Sequence, residues 1–386
     1  MAVEASSEYQ LFIATAEAFL AKEGSLGHLR QLHAAGVEFE RSWWKQAAEL
    51  GWTALLVPEE LGGGTVSGDA VKDLAALATL TGATVAPGPL HPVSVVLAGL
   101  VEAHNRDAHT KEIERLLTGD AVASWAVHEP GSSWRPSEPA VTAARSAGGF
   151  RLDGVKDCVE AGGQCDFFLV VARCDEGVGE FIVPADIDGV RVECDASIDL
   201  VKRYATVHFD GVQLPADSVV GDASQCGDLI ARHVQIGLVL QCAEMVGILR
   251  TVFAMTTQWA LDRNSFGRPL ASYQALKHRF ADLKTWLEAC SAATDKAVTA
   301  VSARLPGADL TASIAKSYVA ERASTIIQDC VQLHGGIGVT WEHDLHLYLR
   351  RAALYRSMFG SPEEHNLLVY RDLEVNRRET LGAQSA

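Results

Sequence analysis

The chain reads as an α+β protein of three parts: a helical N-terminal domain over 1–120, an all-β domain over 121–225, and a C-terminal helical bundle over 226–386. Three observations predict this. Apolar residues recur at helical spacing up to about residue 117, the period changes to alternation between 121 and 220, and helical spacing returns after Cys226 and persists nearly to the end.

The elements follow in order. Residues 6–53 place Phe12, Ala16, Phe19 and Leu20 at helical spacing, and a second helix is expected at 42–50. The stretch GWTALLVPEELGGG at 51–64 ends that unit. Its three glycines lack the Gly-Lys-Ser/Thr with which such a loop binds nucleotide phosphates, so it is read as a turn. Further helices are expected at 66–81, 91–105 and 109–117. The segments AVASWAVHEP, FRLDGVKDCV, DFFLVVARC, GEFIVPA and YATVHFDGVQLPADSVVG are short strands divided by Gly, Asp and Pro turns, at the spacing of a small β-barrel or sandwich. Long helices are then expected at 227–262, 271–303 and 308–334. The first is apolar nearly all round, through Ile236, Leu238, Val239, Leu240, Val246 and Leu249, which requires burial inside a bundle.

Composition narrows the function classes. With 386 residues, 48% of them hydrophobic, the chain is long enough for a large core. A net charge of −16 without a basic cluster argues against nucleic acid, whose phosphates demand clustered cations. The eight cysteines are scattered with no CxxC pair, so reduced thiols and a cytoplasmic location are expected. The first residues, Met-Ala-Val-Glu-Ala, show no basic, apolar signal, and no run of about 18 apolar residues suggests a membrane span.

Two stretches carry the chemistry. In 332–351, QLHGGIGVTWEHDLHLYLRR, a helical approach runs into Gly335, Gly336 and Gly338, where backbone can come close to a flat or anionic ligand. About seventy residues earlier, 262–283 reads DRNSFGRPLASYQALKHRFADL. Arg263 stands at a turn before Phe266-Gly267, where its fork could bind both oxygens of a pyrophosphate or, alternatively, cap a helix C-terminus. Gln274 lies just inside the next helix, whose positive dipole end and early Lys277, His278 and Arg279 suit an anion. The cluster His334, Glu342, His343, Asp344 and His346 is badly spaced for zinc, and no metal site is expected. Thr340 is expected to start the next helix, with Asp344 near its first turn.

Together these stretches resemble the acyl-CoA dehydrogenase family, and the likeness covers essentially the whole chain. It implies that family's three-domain fold, ending in a four-helix bundle, and FAD as cofactor. It also implies FAD contacts at Arg263, Phe266, Gln274, Gln332, Gly335, Gly336, His128, Glu160 and Ser361. Contacts of this kind reach the flavin nucleotide of a neighbouring subunit, so a homodimer or a heterotetramer with a second such subunit is implied. An acyl-CoA substrate and a flavoprotein electron acceptor complete the implied partners.

The departures from the pattern are as informative. The reaction needs a carboxylate to take the α-proton while the β-hydrogen leaves as hydride. In the segment matching ALYRSMFGSPEEH the family's Glu is Phe359 here, and the alternative position, early in the 227–262 helix, is Gly237. Glu244 remains on that helix, seven residues after Gly237 and roughly 10 Å away by helix rise. It is either a displaced base with a raised pKa or a structural ion pair. Glu363 and Glu364 follow Pro362 and are read as first-turn carboxylates. In the β-domain, His128-Glu129-Pro130-Gly131-Ser132-Ser133-Trp134 keeps only the family's Glu-Pro, with Trp134 where a small residue admits the pantetheine arm. Cys158-Val159-Glu160 replaces the flavin-contacting Trp-Ile-Thr, removing a hydroxyl and adding a carboxylate. Two readings follow: a non-catalytic or divergent subunit of a heteromeric enzyme acting on a bulky acyl-CoA, steroid side chains included, or a self-sufficient homomeric dehydrogenase using Glu244. The phrase TWEHD-x-HLYLRR resembles the actinobacterial branch and favours the first.

Overall fold

The structure, a computed structural model, describes residues 7–384 apart from Ser132, Glu176, Ser224 and Gln225. The N-terminal stretch read for a leader, and Ser132 of the Glu-Pro phrase, lie outside the described residues. The chain divides into two compact units, one running through Leu77 and resuming over Ala86–Gly237, the other holding Ala78–Val85 and everything from Leu238.

The first unit opens with α1 (Ser7–Glu23), α2 (Leu26–Ala35) and α3 (Arg41–Glu49). Ser25 caps α2 by accepting the His28 amide at 3.3 Å. The three helices close around buried Trp43, Trp44 and Trp52, with Phe19 and Trp43 rings 5.3 Å apart. The next helix, α4 (Ala70–Thr84), begins four residues later than the apolar pattern suggests. Asp73 explains this, because its carboxylate takes the amides of Val66 and Ser67 at 2.7 and 2.9 Å and holds them in a turn. Helices α5 (Leu90–Glu102) and α6 (Thr110–Leu117) follow.

Eight strands then form one mixed sheet: β1 (Ala123–Ala126), β2 (Thr142–Ser146), β3 (Gly149–Glu160), β4 (Phe167–Cys174), β5 (Gly177–Pro184), β6 (Val190–Cys194), β7 (Tyr204–Pro215) and β8 (Val219–Val220). Their order is β6-β7-β3-β2-β4-β5-β8, and β1 pairs in parallel with β4, Ala123 opposite Phe167. The alternation read from sequence puts Phe150, Leu152, Phe168, Phe181, Val207 and Phe209 into a common core. Register slips between Lys156 and Val159, so Cys158 sits at φ 50 in an irregular strand end.

The long helix α7 (Gly227–Asp262) passes the unit boundary. Its most apolar stretch is long enough by composition to cross a membrane, yet 83% of it is buried inside the protein. In the second unit α7 meets the end of α4 at two glycines. A Cβ on Gly82 would lie 1.9 Å from the Glu244 carbonyl oxygen, and one on Gly247 would lie 2.0 Å from that of Thr79, so only hydrogen fits at either place. A short hairpin of β9 (Asn264–Ser265) and β10 (Arg268–Pro269) leads to α8 (Gln274–Ser302) and α9 (Ala308–His334). Arg279, early in α8, pairs with Asp329, late in α9, which ties the two helices antiparallel.

Helix α10 (Leu345–Ser357) starts after the position expected from Thr340. Thr340 instead closes the preceding turn, its hydroxyl donating to the Ile337 carbonyl at 3.0 Å. Asp344 stands at the helix N-cap without a side-chain capping bond, and the Leu345 amide is taken by His343 Nδ1 at 3.2 Å. The last helix, α11 (Pro362–Gln384), begins at Pro362.

Candidate functional site

The two motifs that lie far apart in sequence meet at Trp259, one turn before Arg263. The His334 ring stacks on Trp259 with centroids 5.4 Å apart, and the Arg263 guanidinium lies 5.8 Å from the same ring. Trp259 thus brings the end of α7 and the end of α9 to one place, a role the sequence reading did not assign. Arg263 is exposed and, among the described residues, no carboxylate pairs with it. Phe266 and Gly267 turn the β9–β10 hairpin with φ of 49 and 82, which thrusts the Phe266 ring out at 98% exposure.

Gln274 is the exposed first residue of α8, whose first turn no side chain caps, and Gln332 is exposed near the end of α9. Gly335 ends that helix at φ 67, ψ −145, a region open to glycine alone. A Cβ on Gly336 would meet nothing within 4 Å, so this strip of backbone is open. The free guanidinium, the open glycine backbone and the buried, unpartnered indole nitrogen of Trp259 fit an anionic, flat group such as a flavin nucleotide. The nearby histidines are otherwise engaged. His334 Nδ1 donates to the Cys330 carbonyl at 2.8 Å, and burial lowers its pKa. His346 Nε2 lies 3.2 Å from the Trp341 carbonyl.

At the base position Phe359 is buried and held at φ 58, its carbonyl accepting from His365 Nε2 at 2.8 Å. Ser361 and Glu364 form a reciprocal cap on α11: the Ser361 amide donates to Glu364 at 2.8 Å and the Glu364 amide to the Ser361 hydroxyl at 3.3 Å. Glu363 pairs with Arg356 at 2.5 Å. Glu244 is buried with both oxygens taken, one by Arg351 Nη1 at 2.6 Å and the other by the Tyr355 hydroxyl at 2.6 Å. Arg351 is itself wholly buried, so this is an interior ion pair. A carboxylate so engaged is fixed in orientation by its two partners. Of the two roles open to Glu244, the geometry supports the ion pair.

The first unit holds the remaining residues. The His128 ring lies tilted against Trp134, centroids 4.8 Å apart, and the two line a cleft of about 280 Å³ with Glu129 and Arg135. Glu129 is pinned beneath it by Lys156 at 2.7 Å and by the amides of Ala140 and Val141 at 2.7 and 2.9 Å. Burial draws the Lys156 amine down to about 8. Cys158 is an inert thiol, pushed up to about 11 by burial and by Asp157. The Glu160 carboxylate turns inward, onto Lys202 and, at 3.5 Å, His91. Burial alone would raise its pKa, but Lys202 and His91 outweigh that and hold it at about 2. The negative charge that the sequence set beside a flavin is thereby neutralised within the fold.

The chain matches two domains of one family: acyl-CoA dehydrogenase, N-terminal domain, over residues 6–120, and acyl-CoA dehydrogenase, C-terminal domain, over residues 229–373. Acyl-CoA dehydrogenase IpdE2 of Mycolicibacterium smegmatis is 27% identical over 361 residues, which covers 93% of this chain and 96% of that protein. FadE27 of Mycobacterium tuberculosis is 26% identical over 333 residues, 84% of this chain and 86% of that one. Butyryl-CoA dehydrogenase from Megasphaera elsdenii shares the fold with a TM-score of 0.88 at 22% identity, over 97% of this chain and 100% of that one. The ChsE4–ChsE5 complex from Mycobacterium tuberculosis shares it with a TM-score of 0.85 at 24% identity, over 96% and 98%.

Proposed function

The chain belongs to the acyl-CoA dehydrogenase family, and from that premise we propose that it is a non-catalytic or divergent subunit of a heteromeric enzyme that binds FAD and desaturates a bulky acyl-CoA at its α,β carbons. The observation that carries this reading is the absence of a usable base at the expected places. Phe359 and Gly237 occupy the two positions where the family pattern puts the carboxylate, and Glu244 is consumed by Arg351 and Tyr355.

FAD, when bound, supplies the hydride acceptor for the β-hydrogen. This chain's contribution is to hold: Arg263 would clasp the pyrophosphate, with Gln274, Gln332 and the Gly335–Gly336 backbone beside it. The proton transfer would belong to a partner subunit, since a phenyl ring accepts none. A two-subunit complex within this fold supports such a division of labour. Eight free cysteines support a reducing, cytoplasmic setting.

Two measurements test this. Arg263→Ala should lower the FAD content of the purified protein, because a charge-assisted, bidentate contact contributes roughly 1.5–3 kcal/mol. Unchanged occupancy would sink the assignment of Arg263. Anaerobic addition of a bulky acyl-CoA should bleach the flavin only when the partner is co-expressed. Bleaching by this chain alone, abolished in Glu244→Gln with flavin retained, would establish the homomeric enzyme instead.

A further inference from the structure

Helix α7 places Gln241 and Glu244 three residues apart, on one face, Glu244 facing α10 and Gln241 facing Lys316 of α9. Glu244 accepts from the Arg351 guanidinium and the Tyr355 hydroxyl, each at 2.6 Å. Gln241 Oε1 accepts from Lys316 Nζ at 2.7 Å, and that same ammonium donates to the Met358 carbonyl at 2.7 Å and to the Tyr355 carbonyl. Tyr355 is therefore gripped at both its hydroxyl and its carbonyl. One residue beyond Met358, the Phe359 carbonyl accepts from His365 Nε2 at 2.8 Å.

Lys316 of α9 and His365 of α11 thus hold the carbonyls of residues 355, 358 and 359, while α7 supports them from behind, Gln241 through Lys316 and Glu244 through the Tyr355 hydroxyl. Lys316 is wholly buried and its three acceptors are all neutral. A lysine kept in the interior without a counter-ion is costly, and an apolar side chain would fill the same volume more cheaply if packing were its only task. Phe359 meanwhile holds φ 58, a conformation an L side chain keeps only where its surroundings over-determine it.

We infer that Gln241, Glu244, Lys316 and His365 are positioning residues that clamp the Met358–Gly360 turn, so that residue 359 is presented in one fixed conformation. The turn's part in contacting acyl-CoA rests on the proposed function, whereas the clamp itself does not. It gives Glu244 a task other than proton transfer. It also means that a phenyl face, rigidly held, stands where a carboxylate is expected.

Hydrogen–deuterium exchange on the full chain tests the clamp. In Lys316→Met the peptide spanning 355–361 should exchange faster by on the order of tenfold, while peptides of α8 keep native rates. Glycine takes positive φ without strain. Adding Lys316→Met to a Phe359→Gly background should therefore accelerate that peptide much less than adding it to the native chain. If Lys316→Met fails to fold, Gln241→Met removes a single acceptor of the ammonium and should show the same local, Phe359-dependent acceleration. Unchanged exchange over 355–361, or a uniform rise through the unit that Phe359→Gly does not ease, would overturn the inference. Flavin content, measured on the same samples, reads the proposed function separately. A chain that never binds FAD leaves the exchange result standing, and unchanged exchange with flavin kept counts against this inference alone.

Discussion

Two buried carboxyls in the first unit titrate in opposite senses. Glu160 has a folded pKa of about 2 against 4.5 for the free side chain. Between those values only the unfolded chain takes up the proton, so the stability Glu160 contributes is present above 4.5 and lost as pH falls toward 2. Glu38 is pushed well above 4.5, first by burial and then by the Glu160 charge. Its contribution is present at low pH and lost as pH rises past the unfolded value. Glu38→Gln should therefore gain on the native chain between pH 4 and pH 8 in denaturant midpoint. Glu160→Gln should flatten the acid limb, and should lower stability at neutral pH because the pairing of the Glu160 carboxylate with buried Lys202 is lost. Equal acid slopes in Glu160→Gln and the native chain would refute the assignment. The position of Glu160 at a strand end was legible in the sequence. Its partners were not, since Lys202 and His91 reach it only through the fold.

At the scale of elements, caps and glycines decide where helices end. The reciprocal Ser361–Glu364 bonds start α11, as the Ser-Pro-Glu-Glu phrase suggests. Ser361→Ala should lower stability by about 1 kcal/mol, measured by urea unfolding, and an unchanged midpoint would show the cap to be idle. The two neighbouring glycines after α9 should differ. Gly335→Ala meets a forbidden backbone conformation and should reduce flavin content by distorting the turn, whereas Gly336→Ala, with open space and no positive φ, should stay within about 0.5 kcal/mol of native. Equal behaviour of the two variants would remove the reason given for Gly335. The helices expected at about 227–262 and 308–334 span those residues in the structure. The starts of α4 and α10 were missed because Asp73 and His343, which lie past the apparent caps, take the amides instead.

At the scale of the molecule, the second unit leaves Phe266 98%, Val339 74% and Trp341 48% exposed, flanking the glycine turn and the hairpin in sequence. Large apolar side chains so exposed suit a partner surface. Sedimentation of the full chain, alone and with a co-expressed second subunit, should show a dimer or tetramer, and Phe266→Asp should weaken both assembly and flavin retention. A monomer that holds flavin as well as the native protein does would contradict a site shared between subunits.

The amino-acid sequence by itself determined the α, then β, then α order, because the periods 3.6 and 2 are written in which residues are apolar. It also determined the identity of the groups proposed for the site, Arg263, Gln274 and the glycine turn, and that Phe359 stands where the family resemblance implies a carboxylate. Which partners Glu244 finds was decided by tertiary structure alone. On a lone helix it is an unpaired carboxyl that could titrate, and only the arrival of Arg351 and Tyr355, more than 100 residues later, binds both its oxygens. The same holds for Trp259, which joins two distant motifs, and for Glu160, which the fold neutralises. Charge pairing and ring stacking act over a few ångströms, and those distances are set by packing rather than by spacing along the chain.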